Sequence, residues 1–455
     1  MICCLSDLPA ITTLILALYI AQSLQLKHST KTAYLDSFNK EQIDYINNNQ
    51  NYKLENCSAE QIFIFLRHGS RYPNSKYVHK TSDFLDKVRQ LRANQKKSAN
   101  LTYSAAIDDV IVTFDDKPSH GLSELGALEM QQIALRFKKR FPNLFSRENA
   151  LDSIDIVSSD RDRCIDSGRN FVFGLFGKNS ELSNLLINKF VINNTLIRYF
   201  DQCHQYIEKI KNKKNSLPNL ANFMNGPEMI KLLEEFKSRN RIQELDFRTK
   251  ILITIFGLCG IEHAHRMKTN WCKLFEGDSE LEILSYYSDL KDFWIKSYGN
   301  ELNYQIVQYL YQDLFANFDL SLKNDSKKKK VLLRFGHAEN IIPLLSVLNL
   351  FRDPYQLTHD KFSQVKDRYF KTAVMSPFAS NLAFVLHKCN NTIEPFRIKI
   401  LVNEMPLEML HTGRVECSFE SKSECSYSKF SSMLKNFLEI DLDTNCAVRN
   451  LENEL

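Results

Sequence analysis

The sequence contains no C-x-x-C pair, which removes the commonest scaffold for a structural zinc ion. It has no apolar run long enough to cross a bilayer: the stretch from Ile11 to Ile20 falls well short of the roughly 20 residues a spanning helix needs. It also has no large excess of one charge. Lys and Arg number 59 against 54 Asp and Glu, a formal +5. That balance suits a small anionic substrate and excludes the basic footprint of a nucleic-acid binder.

The N-terminus instead reads as a secretory signal over residues 1–23. An apolar stretch leads to Ala21-Gln22-Ser23, small residues at a cleavage spacing. The usual basic start is missing, and Asp7 stands in its place. The expectation is a mature chain without a transmembrane segment, in the secretory pathway and either secreted or kept in the endoplasmic reticulum lumen. The terminal Glu452-Asn453-Glu454-Leu455 is only a distant relative of a lumenal retention signal. Nine cysteines lie beyond the signal. That odd count leaves at least one thiol free or paired between chains. Five N-x-S/T triplets begin at Asn56, Asn100, Asn193, Asn324 and Asn390, acceptors for glycans in an exported chain.

A chain of 455 residues can hold one large domain or two interlocked ones. The most informative stretch is Phe63-Ile64-Phe65-Leu66-Arg67-His68-Gly69-Ser70-Arg71-Tyr72-Pro73. Gln61 to Leu66 predicts a short buried strand, and it delivers two arginines and a histidine at its end. In an open α/β sheet, ligands bind at such strand ends. Arg67 and Arg71 are fork-shaped permanent cations suited to phosphate oxygens. Two nearby cations disfavour a third, so His68 is expected to stay neutral. A neutral imidazole can attack phosphorus and form a covalent intermediate. Gly69 is expected to let the chain turn sharply beside the ring.

Two more strands end in the same fashion. Ile154 to Ser159 leads into Asp160-Arg161-Asp162-Arg163-Cys164-Ile165-Asp166-Ser167, and Val331 to Gly336 delivers His337-Ala338-Glu339-Asn340. Between the first two strands, Leu122-Ser123-Glu124-Leu125-Gly126 opens a helix with Ala127, Met130, Ala134, Phe137 and Phe141 on one face. Ser82 to Ser98 is expected to form a charged surface helix. Late strands are expected at Leu382 to Leu386 and Ile398 to Val402. Residues 24–55 read as a surface lead-in. Ser180 to Tyr311 shows long helical patterns. The stretches Arg198-Tyr199-Phe200-Asp201-Gln202-Cys203 and Tyr287 to Gly299 within it read as helix packing rather than chemistry. Glu262, His263 and His265 tempt a metal reading, but histidines two apart do not share a helix face, and ordinary surface histidines are expected.

The R-H-G-x-R-x-P motif resembles the histidine acid phosphatase family. The Arg-Cys-Ile-Asp-Ser, Arg-Tyr-Phe-Asp-x-Cys and His-Ala-Glu stretches resemble its multiple inositol polyphosphate phosphatase branch. The resemblance runs from about Cys57 to Asn403. It implies an α/β fold: a central mixed sheet flanked by helices over 56–177 and 325–455, with a mainly helical domain inserted at 178–324. It implies that Arg67, Arg71 and Arg163 hold a phosphate, with Arg161 as the solvated alternative to Arg163. His337 would add a further ligand, His68 the nucleophile and Glu339 the proton donor, with a carboxyl pKa raised by burial. Where the branch often has Thr after His-Ala-Glu, this chain has Asn340. No metal and no organic cofactor is implied, since arginines supply the charge. The substrate would be a small anionic phosphate ester: inositol hexakisphosphate and lower inositol polyphosphates, with 2,3-bisphosphoglycerate as a second. A broad acid phosphatase or a mutase-like transferase is the rival enzyme reading, and an inactive secreted anion binder the non-enzymatic one. The expected disulfides are Cys57–Cys389, Cys259–Cys272 and Cys417–Cys425. The sequence leaves the oligomeric state open.

Overall fold

The computed structural model describes residues 28–48, 56–98, 105–213, 217–267, 270–390, 392–410 and 424–447. The signal over residues 1–23, the terminal tetrapeptide, Cys417 and the Asn100 triplet lie outside them.

Eight strands form one mixed sheet: β1 (Cys57–Arg67), β2 (Ile154–Ser158), β3 (Val191–Ile192), β4 (Val331–Gly336), β5 (Asn381–Cys389), β6 (Phe396–Val402), β7 (Met405–Pro406) and β8 (Glu424–Ser426). Their order is β3-β2-β4-β1-β5-β6-β7, with β8 also on β6. The ladders β3-β2, β2-β4 and β4-β1 are parallel, and those from β1 onward are antiparallel. Each of the expected strands is present. β1 alternates strictly, as a strand buried on both faces must. Phe63 and Phe65 join one apolar cluster, and Ile62, Ile64 and Leu66 the other.

The helices that matter to the site are α1 (Ser75–Ser98), α2 (Glu124–Arg140), α3 (Asp162–Phe176), α4 (Lys250–Ala264), α5 (Gly277–Lys296), α6 (Gln308–Leu322) and α7 (Ala338–Val347). α2 starts where Ser123 caps it, its side chain accepting from Gly126 N, and stops at Arg140, short of Pro142. It buries Met130, Ala134 and Phe137 as expected, and Ile133 and Glu129 as well. Between β3 and β4 the described residues are helical or irregular, in line with the helical reading of that stretch.

Residues 28–38 of the lead-in are not a surface segment, whereas the helix Lys40–Asn48 that follows buries only Ile46. His28, Thr32, Ala33, Tyr34 and Phe38 are buried. The Tyr34 hydroxyl donates to Glu404, and the Tyr34 amide donates to Glu129. The Asn-rich composition beyond Phe38 concealed this short apolar anchor.

Three disulfides lie wholly among the described residues. Cys57–Cys389 joins residues directly opposite on β1 and β5, and Cys259–Cys272 closes a short loop, both as expected. The third, Cys203–Cys446, was not foreseen. Cys425 is also disulfide-bonded. Among the described residues Cys164 is a free thiol, and it is buried. Among the described residues, no helix is long and apolar enough to cross a membrane. The disulfides fit an oxidising, secretory-pathway compartment.

Candidate active site

β2, β4 and β1 are neighbours and parallel, so their C-terminal ends share one edge of the sheet. The turn after β1 is fastened on every side. His68 N donates to Gly336 O, and Ala379 N to His68 O, each at 3.0 Å. The buried Glu129 carboxylate accepts from Ser70 N at 2.7 Å and Ser70 Oγ at 3.0 Å. Ser167 Oγ accepts from Gly69 N at 3.1 Å and donates to Arg163 O at 2.6 Å, so the serine of R-x-x-x-S ties two strand ends together. Gly69 is needed for closeness rather than for an unusual backbone angle, and no positive φ occurs there. A Cβ on it would stand 2.4 Å from Gly126 O. The glycine of L-S-x-x-G therefore meets the glycine of R-H-G.

His68 is buried. Its Nδ1 lies 2.9 Å from Gly69 O. A carbonyl only accepts, so Nδ1 carries the proton and Nε2 keeps its lone pair. Burial first, then Arg67, Arg163 and Arg71, holds the imidazole pKa well below its ordinary value. The neutrality expected from two arginines is reinforced by a third.

Arg67 is pinned by Nη1, which donates to Thr30 O at 2.7 Å and Ser376 O at 2.6 Å, while its guanidinium lies 4.7 Å over the Phe378 ring. Arg71 Nη1 donates to Tyr72 O. The Nε atoms of Arg67, Arg71 and Arg163 are all buried without an acceptor among the described residues. Burial, and next the neighbouring cations Arg163 and Arg67, lowers Arg71 to about 9. Three crowded guanidiniums with buried, unpaired Nε–H donors suit an anion's oxygens. Of the two candidates after β2, Arg163 reaches the site, its Nη2 3.3 Å from His337 Nδ1. Arg161 pairs with Asp160 in solvent.

His337 is buried, its ring centroid 5.8 Å from that of His68. Burial, then Arg163, keeps it neutral as well. Its backbone N donates to Asn340 Oδ1 at 3.0 Å, and Asn340 Nδ2 donates to Ile197 O. Asn340 thus caps the start of α7 and ties it to Ile197. Glu339 stands in the first turn of α7, its side chain a third exposed. Its charge state overturns the expectation of a raised pKa. Burial, the largest single influence, pushes the carboxyl up, but the Lys296 ammonium at 3.2 Å and the hydrogen bonds the carboxylate accepts together outweigh it and hold the group well below the usual carboxylate range.

A family model for the histidine phosphatase superfamily, branch 2, matches residues 60–403, most of the chain. The chain belongs to that superfamily. Among curated histidine phosphatases it is 30% identical to human multiple inositol polyphosphate phosphatase 1 over 382 residues, covering 80% of this chain and 78% of the relative. The chicken protein of the same name is 27% identical over 390 residues, covering 84% and 83%. The fold also matches a solved histidine phosphatase, the Bifidobacterium longum multiple inositol polyphosphate phosphatase in complex with inositol hexasulfate. The TM-score is 0.69 at 15% identity, with 91% and 98% of the two chains covered.

Several residues of this histidine phosphatase site escaped the sequence reading. Arg198, read as helix packing, lies with its Nη1 2.9 Å from His337 Nε2 and is steadied by Asp201. Cys203 of the same stretch anchors it through the disulfide to Cys446. Lys291, Asp292 and Lys296 of α5, also read as packing, and Lys31 of the lead-in interact with the site's charged groups. His120 is held down to about 4 by burial, then Arg71 and Arg163. The tempting Glu262, His263 and His265 part company. Glu262 is buried and accepts from Thr113, Asn270 and Trp271. His263 faces Asp36, and His265 stacks on Tyr72. Both histidines are half-buried rather than on the surface.

Proposed function

We propose that this chain is a phosphomonoesterase that removes phosphates from inositol polyphosphates, inositol hexakisphosphate and lower, through a covalent phosphohistidine at His68. The observation that carries this reading is the pairing of a free Nε2 lone pair on His68 with three buried, unsatisfied guanidinium Nε donors around it. Nε2 attacks phosphorus, the ester P–O bond breaks, and Glu339 gives its proton to the leaving alkoxide. Water then attacks the phosphohistidine, the P–N bond breaks, and the Glu339 carboxylate takes the proton back as orthophosphate forms. Arg67, Arg71 and Arg163, with His337, bind the oxygens on which charge develops. The guanidiniums do the work that a divalent ion does in metal phosphatases. The substrate class is supported by the human and chicken relatives, whose names specify inositol polyphosphates. 2,3-Bisphosphoglycerate carries similarly clustered phosphates and is the second substrate of this reading. The helical stretch 178–324 acts as an insert domain walling the cleft. The protein works in the secretory pathway, either secreted or in the lumen of the endoplasmic reticulum.

The test is acid-labile, base-stable label on His68 after a rapid quench with phosphate-labelled inositol hexakisphosphate. His68→Ala loses both label and turnover. A fully active His68→Ala protein would falsify the mechanism. Better turnover of simple monoesters than of inositol polyphosphates, at equal concentration, would favour the broad acid phosphatase.

A further inference from the structure

The His337 ring stands between two guanidiniums. Arg198 Nη1 lies 2.9 Å from its Nε2, and Arg163 Nη2 lies 3.3 Å from its Nδ1. A guanidinium only donates, and a neutral imidazole has one N–H and one lone pair. Burial, then Arg163, holds this ring neutral, so it can accept from one of the two arginines and not from both. The shorter contact decides. A proton on Nε2 would meet the Arg198 donor head-on at 2.9 Å, so Nε2 carries the lone pair and Nδ1 the proton. Ser159 Oγ, 3.1 Å from Nε2, suits either form, because a hydroxyl both donates and accepts. Arg198 is itself held in place. Its Nη2 donates to Asp201, which also accepts from Lys211 Nζ. Its guanidinium lies 5.1 Å over the Phe200 ring, and that ring in turn packs edge-on against His337. The other contact then sets two donors side by side, Arg163 Nη2 and His337 Nδ1–H. One acceptor oxygen satisfies both.

We infer that Arg198 is a positioning residue: it fixes the His337 tautomer so that Nδ1–H, together with Arg163 Nη2, donates to one oxygen of the phosphate that His68 attacks. This rests on the phosphomonoesterase reading above and deepens it. Without Arg198 the ring has a well-paired alternative, in which Nε2–H donates to Ser159 Oγ and Nδ1 accepts from Arg163 Nη2. That form satisfies the protein's own groups but turns a lone pair towards the phosphate oxygens, which repels them. Arg198 thus acts on the chemistry by deciding where one proton sits, without touching the substrate.

The experiment compares the wild-type protein with Arg198→Met and Arg198→Lys. Nitrogen-15 resonances of selectively labelled histidine report which ring nitrogen is protonated, with His337→Gln used to assign the signal. Wild type and Arg198→Lys should show a protonated Nδ1 and an unprotonated Nε2, and Arg198→Met the reverse. In Arg198→Met, kcat/KM should fall about tenfold. The loss should be equal on inositol hexakisphosphate and on para-nitrophenyl phosphate, because the contact is to the phosphate and not to the leaving group. Arg198→Lys keeps a donor and should recover most of the loss. A protonated Nε2 in the wild type overturns the inference, as does a tautomer unchanged in Arg198→Met or a loss on one substrate only. A wild-type protein that cleaves neither substrate defeats the phosphatase reading instead. The resonances then still decide the role of Arg198: reversal in Arg198→Met supports it, and an unchanged tautomer overturns it.

Discussion

Lys296 Nζ lies 3.2 Å from Glu339 Oε1 and 3.0 Å from Asp292 Oδ1. The residue proposed to deliver a proton therefore waits as an anion when no substrate is bound. Substrate phosphates alter both sides of that balance. They repel the carboxylate and draw the ammonium, and each effect raises the carboxyl pKa. Protonation of the donor is thereby coupled to substrate binding.

The first prediction follows from this pair. Glu339→Gln should slow cleavage of alkyl phosphates roughly a hundredfold and spare para-nitrophenyl phosphate, whose leaving group needs no proton. Lys296→Met should act in the opposite sense on pH. The acid works when protonated, and removing the ammonium raises its pKa. The alkaline limb of kcat/KM for an alkyl phosphate should then move to higher pH. A limb that stays in place would mean that another group titrates there.

Acidic conditions should not silence the nucleophile. A free histidine gains its proton near pH 6.5, but His68 is held well below that by burial and by Arg67, Arg163 and Arg71. Its reactive neutral form therefore persists as pH falls. The yield of phosphohistidine in a single turnover should be flat from neutrality down through pH 6.5 and beyond. A drop centred on 6.5 would show an exposed, ordinary imidazole.

The two arginines that follow β2 should separate cleanly. Arg163→Ala removes a donor from the site and should cost about a hundredfold or more in kcat. Arg161→Ala removes a solvent-exposed partner of Asp160 and should change turnover less than about twofold. Reversed effects would transfer the role to Arg161.

How far the site could be read from the chain divides along a physical line. The ends of β1, β2 and β4 were legible because each is a short apolar run halted by Arg67, by the Asp160-to-Arg163 cluster or by His337. Strand ends in a sheet edge assemble side chains through local order alone. Arg163 could be preferred to Arg161 through its spacing to Ser167. Arg198, Lys31, Lys291 and Lys296 reach the same place from helices and turns distant in sequence. Nothing in their own neighbourhoods distinguishes them from the charged face of an ordinary helix. The direction of the Glu339 shift was lost for the same reason. Burial can be read from a local pattern, but the ammonium that does most to oppose it lies on another element. Tyr34 and Phe38 were hidden by the polar residues after them.

The unforeseen disulfide yields a further prediction. Cys203–Cys446 closes a span of 243 residues and fastens the stretch that carries Arg198. Paired replacement by alanine should lower unfolding free energy by about 2–5 kcal/mol. It should also lower kcat/KM, since Arg198 loses its anchor beside His337. Calorimetry and kinetics on one preparation test both. Unchanged kinetics with reduced stability would confine the bridge to the fold.

The idle guanidinium donors around His68 have one more consequence, and it concerns leaving rather than arriving. Arg67, Arg71 and Arg163 offer the same N–H groups to an ester and to free orthophosphate. When the P–N bond breaks, the product sits among the cations that stabilised its formation, and its departure restores their mutual repulsion. On the proposed mechanism orthophosphate should inhibit competitively, and clearance of the pocket, rather than bond cleavage, should hold back a fast turnover.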